Sequence, residues 1–143
     1  MILFCDTSAL VKLYVDEESS DAVRTLAESV SSVAVCRIAW AEAMAALARR
    51  SREQPADAAV IDAVRIRLRN DWQRYAIVEL TQQLVELAGD YADTFALRGY
   101  DSIQLAAARI LQVATTEELH FACFDARLNR AAKVLGMRLP PPE

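Results

Sequence analysis

Glycine and proline are scarce in this chain: three Gly and four Pro among 143 residues, with three of the prolines consecutive as Pro140, Pro141 and Pro142. So small a share of turn-formers argues against a collagenous, linker-rich or disordered chain. There is one histidine, His120, and the three cysteines, Cys5, Cys36 and Cys123, show no Cys-x-x-Cys spacing. Zinc sites draw on several His and Cys ligands, so the expectation is three buried free thiols in a reducing cytoplasm, without disulfide or zinc. No apolar run approaches the ~18–20 residues that cross a bilayer. The opening Met-Ile-Leu-Phe-Cys-Asp lacks the basic region of a secretory leader. A cytoplasmic protein with no membrane partner is expected. Excess positive charge is missing too. Lys and Arg total 16 against 20 Asp and Glu, a formal net charge of −4, whereas proteins that grip nucleic acid through its phosphates carry a basic surplus. An acidic chain can still act on phosphodiesters where clustered carboxylates hold a divalent cation that meets the phosphate.

What the chain has in quantity is apolar surface, 54% of its residues. Its length suits one domain, residues 1–143, burying roughly 68–70% of the surface of the unfolded chain. There is no internal repeat or composition break. Four short apolar runs read as strands buried on both faces: 2–5, 33–36, 75–78 and 119–124. Between and after them lie helical patterns at 9–15, 21–28, 38–52, 57–70, 81–97, 101–113 and from Asp125 to Gly136, with Gly99 separating the fifth from the sixth. Strands alternating with helices predict a three-layer α/β/α domain around a mainly parallel sheet of four to five strands. Ligands of such sheets bind beyond the carboxyl ends of the strands.

Four acids fall where that rule looks for them. Asp6 follows the first strand and Asp125 the fourth. Asp101 opens a helix, and Glu42 lies a turn into the helix after the second strand. Each Asp alone reads equally as a helix cap, and a structural Glu42 would be expected to pair with Arg37 or Arg49. Gathered at one rim, the four would repel: two carboxylates ~5 Å apart at an effective dielectric near 20 cost roughly 3 kcal/mol. A divalent cation removes that cost, and oxygen-only ligation favours Mg2+ or Mn2+.

The segments around these acids carry a resemblance. Asp6-Thr7-Ser8-Ala9-Leu10-Val11-Lys12-Leu13-Tyr14 resembles the opening of PIN-domain nucleases, closely that of VapC-type toxins. Ala41-Glu42-Ala43, the run from Tyr100 to Ala108 and the run from Phe124 to Ala132 resemble the second, third and fourth acidic motifs, in order. The resemblance spans essentially the whole chain. It implies a PIN-like fold and a Mg2+- or Mn2+-dependent endoribonuclease, the toxin of a type II toxin–antitoxin pair, with Asp6, Glu42, Asp101 and Asp125 around the metal. It implies that a hydroxyl of Ser8 or Thr7 supports the first acid, that the chain forms a homodimer, and that a cognate antitoxin silences it. Cys123 departs from the pattern: many relatives have Thr or Ser two residues before the fourth acid.

Other readings share the aspartate after the first strand. A phosphotransferase forming an aspartyl phosphate would carry a second Asp where Ser8 stands, and a receiver-like domain would carry adjacent acids there and a Lys after the last strand. An inactive PIN scaffold is a third alternative. Lys12, Arg49 and Arg50 are candidate RNA contacts, although cations at a helix end also suit its dipole. Arg65 and Arg69, with Asp62 nearby, read as a solvated face, and His120 as a core or edge residue.

Overall fold

The structure is a computed structural model that describes residues 1–140. Pro141 and Pro142 of the proline run, with Glu143, lie outside the described residues. The first apolar run forms strand β1 (Ile2–Cys5), every residue of which is buried. With side chains alternating across the strand, Leu3 and Cys5 enter one core while Ile2 and Phe4 enter another. Against Leu3 and Cys5 pack α1 (Thr7–Lys12), α2 (Ser20–Ser29), α3 (Ala39–Glu53) and α4 (Ala58–Asp71), through Leu10, Val23, Leu47 and Ile61 among others. Against Ile2 and Phe4 pack α5 (Gln82–Phe95), α6 (Gly99–Ala114) and α7 (Ala126–Val134), through Leu84, Leu105 and Leu128. Phe4 stacks on Phe121 with ring centroids 5.7 Å apart. The result is the expected three layers.

The sheet has four strands, all parallel, in the order β3 (Ala76–Val78), β2 (Ser32–Cys36), β1, β4 (Leu119–Ala122). The chain runs outward from β1 to β3, then crosses back to place β4 on the other side of β1. The helix after β1 covers one face and the helix after β4 the other. This is the reversal of strand order at which open α/β sheets leave a crevice. Register sets Cys5 level with Ala122, and the Asp6 N–H continues the ladder by donating to the Ala122 carbonyl at 3.1 Å. Asp6 and the residues after Ala122 therefore leave the sheet side by side.

Several boundaries differ from expectation for local reasons. α1 begins at Thr7 rather than at residue 9, because Asp6 is its N-cap. β4 stops at Ala122, and α7 ends at Val134, with Gly136 in the left-handed region at φ 82° just beyond. Short 3-10 turns occupy Pro55–Asp57 and Trp72–Arg74. Gly99 does not separate two helices but starts α6. The break is made by Ala96, which closes α5 at φ 53°, ψ 45°. An L-residue there costs roughly 1–2 kcal/mol, and glycine relieves it against its own entropic cost. Ala96→Gly at this exposed position is expected to stabilise the protein by about 0.5–1 kcal/mol, seen as a higher denaturant midpoint at unchanged slope.

Candidate active site

Asp6 is only 7% exposed. Its Oδ1 caps α1 by accepting the Ala9 N–H at 2.9 Å and also accepts the Ser8 hydroxyl at 2.7 Å. Its Oδ2 has no hydrogen bond among the described residues. Burial, reinforced by the charges of Asp101 and Glu42, outweighs those two donors and pushes the carboxyl up to about 6. The acid after β1 thus resists ionisation although two groups support its charge. Asp101, in the first turn of α6, is also raised, by burial and then by the charge of Asp125, with Arg98 opposing. Unlike Asp6 it caps nothing.

Glu42 sits in the first turn of α3. Neither expected arginine meets it: Arg37 pairs with Glu79 across the adjacent strand ends, and Arg49 pairs with Glu53 one turn on at 2.9 Å. Its Oε1 instead accepts the Thr7 hydroxyl at 2.8 Å and the Gln104 amide at 2.9 Å. Gln104 also donates to Thr7 Oγ1 at 3.2 Å. The two hydroxyls after Asp6 therefore divide their work, Ser8 on Asp6 and Thr7 on Glu42. Gln104 lies one turn beyond Asp101 on the same face of α6, is 3% exposed, and leaves its Oε1 buried without a partner. It was not singled out from sequence. The three-residue spacing from Asp101 was the signal that could have found it.

Asp125 is exposed and caps α7, its Oδ1 accepting the Leu128 N–H at 2.8 Å. Cys123 donates its thiol to Asn129 Oδ1 at 3.0 Å and not to the Asp125 carboxylate, while the Asn129 amide returns a bond to the Cys123 carbonyl at 3.2 Å. Burial, then the charge of Asp6, with Asp125 and Asp101 adding to it, pushes that thiol up to about 12. It is a packed donor rather than a nucleophile. All three cysteines are free and buried.

The structure thus links the four acids electrostatically: Asp6 with Glu42 and Asp101, and Asp101 with Asp125. Asp6, Glu42 and Asp125 are each fixed through one oxygen, and the other oxygen has no hydrogen bond among the described residues. Among those residues no three acidic, His or Cys side chains stand close enough to enclose an ion unaided. An all-oxygen donor set is that of a hydrated Mg2+ or Mn2+, which keeps several waters and binds through one or two carboxylates.

The candidate RNA contacts are each engaged by a neighbouring acid. Lys12 pairs with Glu17 at 3.1 Å, Arg50 pairs with the other oxygen of Glu17 at 3.4 Å, and Arg49 is engaged by Glu53. Arg65 pairs with Asp62 at 2.7 Å on the solvated face of α4. His120 Nε2 meets Glu118 at 2.8 Å, and its Nδ1 is buried without a partner. No helix among the described residues is long and apolar enough to cross a membrane.

The chain matches the model of the PIN domain family over residues 3–134. It is 33% identical over 145 residues to Ribonuclease VapC49 of Mycobacterium tuberculosis (strain ATCC 25618 / H37Rv), covering 98% of this chain and 95% of that protein. Ribonuclease VapC46 of the same strain is 31% identical over 141 residues, covering 98% and 97%. Among solved structures, FitAcB from Neisseria gonorrhoeae aligns at TM-score 0.64 and 17% identity over 97% of this chain and 96% of that one. VapBC2 from Rickettsia felis, bound to a DNA fragment from its promoter, aligns at 0.61 and 15% over 97% of each chain. A toxin–antitoxin complex from Klebsiella pneumoniae aligns at 0.54 and 22% over 84% of each. A family match over almost the whole chain, full-length relatives above 30% identity and one shared architecture lead to one assignment: the chain belongs to the PIN domain family, among the VapC-type proteins.

Proposed function

We propose that this chain, as one PIN domain, is a Mg2+- or Mn2+-dependent endoribonuclease that acts as the toxin of a toxin–antitoxin pair. The observation that carries the reading is the placement of Asp6: it is 7% exposed where β1 and β4 end side by side, one oxygen is held by the Ser8 hydroxyl and the Ala9 N–H, and the other has no hydrogen bond among the described residues. Burial and neighbouring acids push its carboxyl up to about 6, and a divalent cation on the free oxygens of the cluster relieves that strain. The names of the relatives, ribonucleases VapC, support RNA as substrate. The Klebsiella complex supports a cognate antitoxin as partner. Exposed Val60 and Ile66 on α4 offer apolar surface for a homodimer.

Asp6, Asp101, Glu42 and Asp125 would hold the metal, one or two of them directly and the others through its waters. When bound, the cation would polarise a phosphoryl oxygen and make a water nucleophilic near neutral pH. The chain's own part is to hold the oxygens in place. Ser8 and the Ala9 N–H fix Asp6, Thr7 and Gln104 fix Glu42, and the Leu128 N–H fixes Asp125. The net reaction is hydrolysis of a phosphodiester, water supplying the hydroxyl to phosphorus and the proton to the leaving oxygen.

RNA cleavage is expected with Mg2+ or Mn2+, to be abolished by EDTA and restored by excess Mn2+. Asp101→Asn should lower it at least a hundredfold, beyond the ~10–100-fold that losing an outer-sphere partner costs. Equal cleavage with and without EDTA would overturn the metal mechanism.

A further inference from the structure

Glu17 lies in the acidic turn after α1, between two cations that the sequence offered as RNA contacts. Its Oε1 takes the Lys12 ammonium at 3.1 Å and its Oε2 the Arg50 guanidinium at 3.4 Å. One carboxylate spanning two cations, an oxygen to each, has the charge and the paired oxygens of a phosphodiester. The Lys12 ammonium also lies 4.7 Å from the centroid of the Phe124 ring. Phe124 is 47% exposed and immediately precedes Asp125. A large apolar ring is thus held open to solvent at the edge of the acidic cluster, with a cation against it. The ring also lines a groove of about 870 Å³ with Ala22, Leu26 and Leu139, leaving room beside it. Lys12 is six residues past Asp6 along α1, roughly 9 Å of helix, so this place flanks the acids without overlapping them.

We propose that Phe124, Lys12 and Arg50 form a single-stranded RNA subsite next to the acidic cluster, blocked in the free protein by Glu17. An incoming phosphate replaces the Glu17 carboxylate on Lys12 and Arg50, and the attached base stacks on Phe124. The ligand is single-stranded because a base in a duplex has no free face to offer. The subsite rests on the nuclease reading for its biological use, but its binding chemistry is separable. Self-blocking also reconciles an acidic chain with an RNA ligand: two cations become available only to a group that competes with a carboxylate.

The test is the affinity of a short, randomised, fluorescent single-stranded RNA for the full chain, measured by anisotropy, alongside cleavage of the same pool with Mg2+. Phe124→Ala is expected to weaken binding about tenfold, and Phe124→Trp to restore it, since stacking tolerates any large aromatic ring. Glu17→Gln is expected to tighten binding roughly three- to tenfold at about 50 mM salt, with the gain shrinking toward about 200 mM as screening grows. A structural strap predicts the opposite, a lower melting temperature with no gain in affinity, and that result overturns the proposal. Cleavage of the pool with unchanged affinities in both variants overturns the subsite and leaves the nuclease reading intact. The expected affinity changes without cleavage uphold the subsite and sink the nuclease reading, whereas neither binding nor cleavage by the wild type overturns both.

Discussion

Asp6→Asn is expected to abolish RNA cleavage and, at the same time, to make the protein more stable at neutral pH. The two effects share a cause. In the folded chain the Asp6 carboxyl is pushed up to about 6 from an ordinary value of 3.8, first by burial, with Asp101 and Glu42 adding to it. Between about pH 4 and pH 6 the folded state therefore keeps a proton that the unfolded chain has released, and stability falls as pH rises across that window. At about 1.4 kcal/mol per pH unit the loss by pH 7 is about 3 kcal/mol. Asparagine is neutral at every pH in this range. Its Oδ1 can still accept the Ala9 N–H and the Ser8 hydroxyl, and it is among the best N-caps. The variant should thus melt roughly 5–10 °C above wild type at pH 7, with the difference closing near pH 4, where both forms are uncharged. Millimolar Mg2+ should raise the melting temperature of the wild type and leave the variant unmoved, because the cation and the substitution relieve the same strain. A variant that melts below wild type at pH 7 would show that Asp6 is an ordinary stabilising cap. The pattern would then be that of a structural acid, and the metal reading would lose its main support.

The parts of this molecule that follow from chain-local physics were legible in the sequence, and the parts that depend on distant partners were not. β1 is readable as Ile2-Leu3-Phe4-Cys5 because a strand covered on both faces needs apolar residues at every position. Asp6 and Asp125 are readable as helix starts because a carboxylate reaching three residues ahead is a local event. The partner of Glu42 is of the other kind. Arg37 and Arg49 were near in sequence, but Arg37 faces Glu79 on the next strand end and Arg49 finds Glu53 one turn away. The donors that hold Glu42 come from residues 7 and 104, brought in by α1 and α6. Likewise, nothing in Ala96 marks a left-handed residue. That conformation is imposed by the sharp turn from α5 into α6, and Gly99, the obvious breaker, lies inside α6.

Gln104 is where the distant partners can be separated from the acids themselves. Gln104→Leu is expected to lower cleavage about 10–100-fold, the usual cost of losing a group that orients a ligand, while changing stability by only about 1 kcal/mol in either direction. The small stability effect follows from two opposing losses. The variant gives up bonds to the Glu42 carboxylate and the Thr7 hydroxyl, and it also removes a buried carbonyl oxygen that has no partner. Leucine of similar volume fills the space between α6 and the rim without a new polar group. Thr7 continues to donate to Glu42, so the acid stays in place with less restraint, and the activity loss should be accompanied by a weaker apparent Mg2+ affinity. Gln104→Glu makes the opposite case. It sets a second carboxyl against Glu42 Oε1, and the pair can share a proton only at low pH. Its activity should be worse than that of the leucine variant at pH 8 and should approach wild type as the pH falls, because the protonated carboxyl can donate as the amide did. A glutamate variant with a wild-type pH profile would mean that Gln104 only fills space at the rim. Glu42 would then owe its orientation to Thr7 alone.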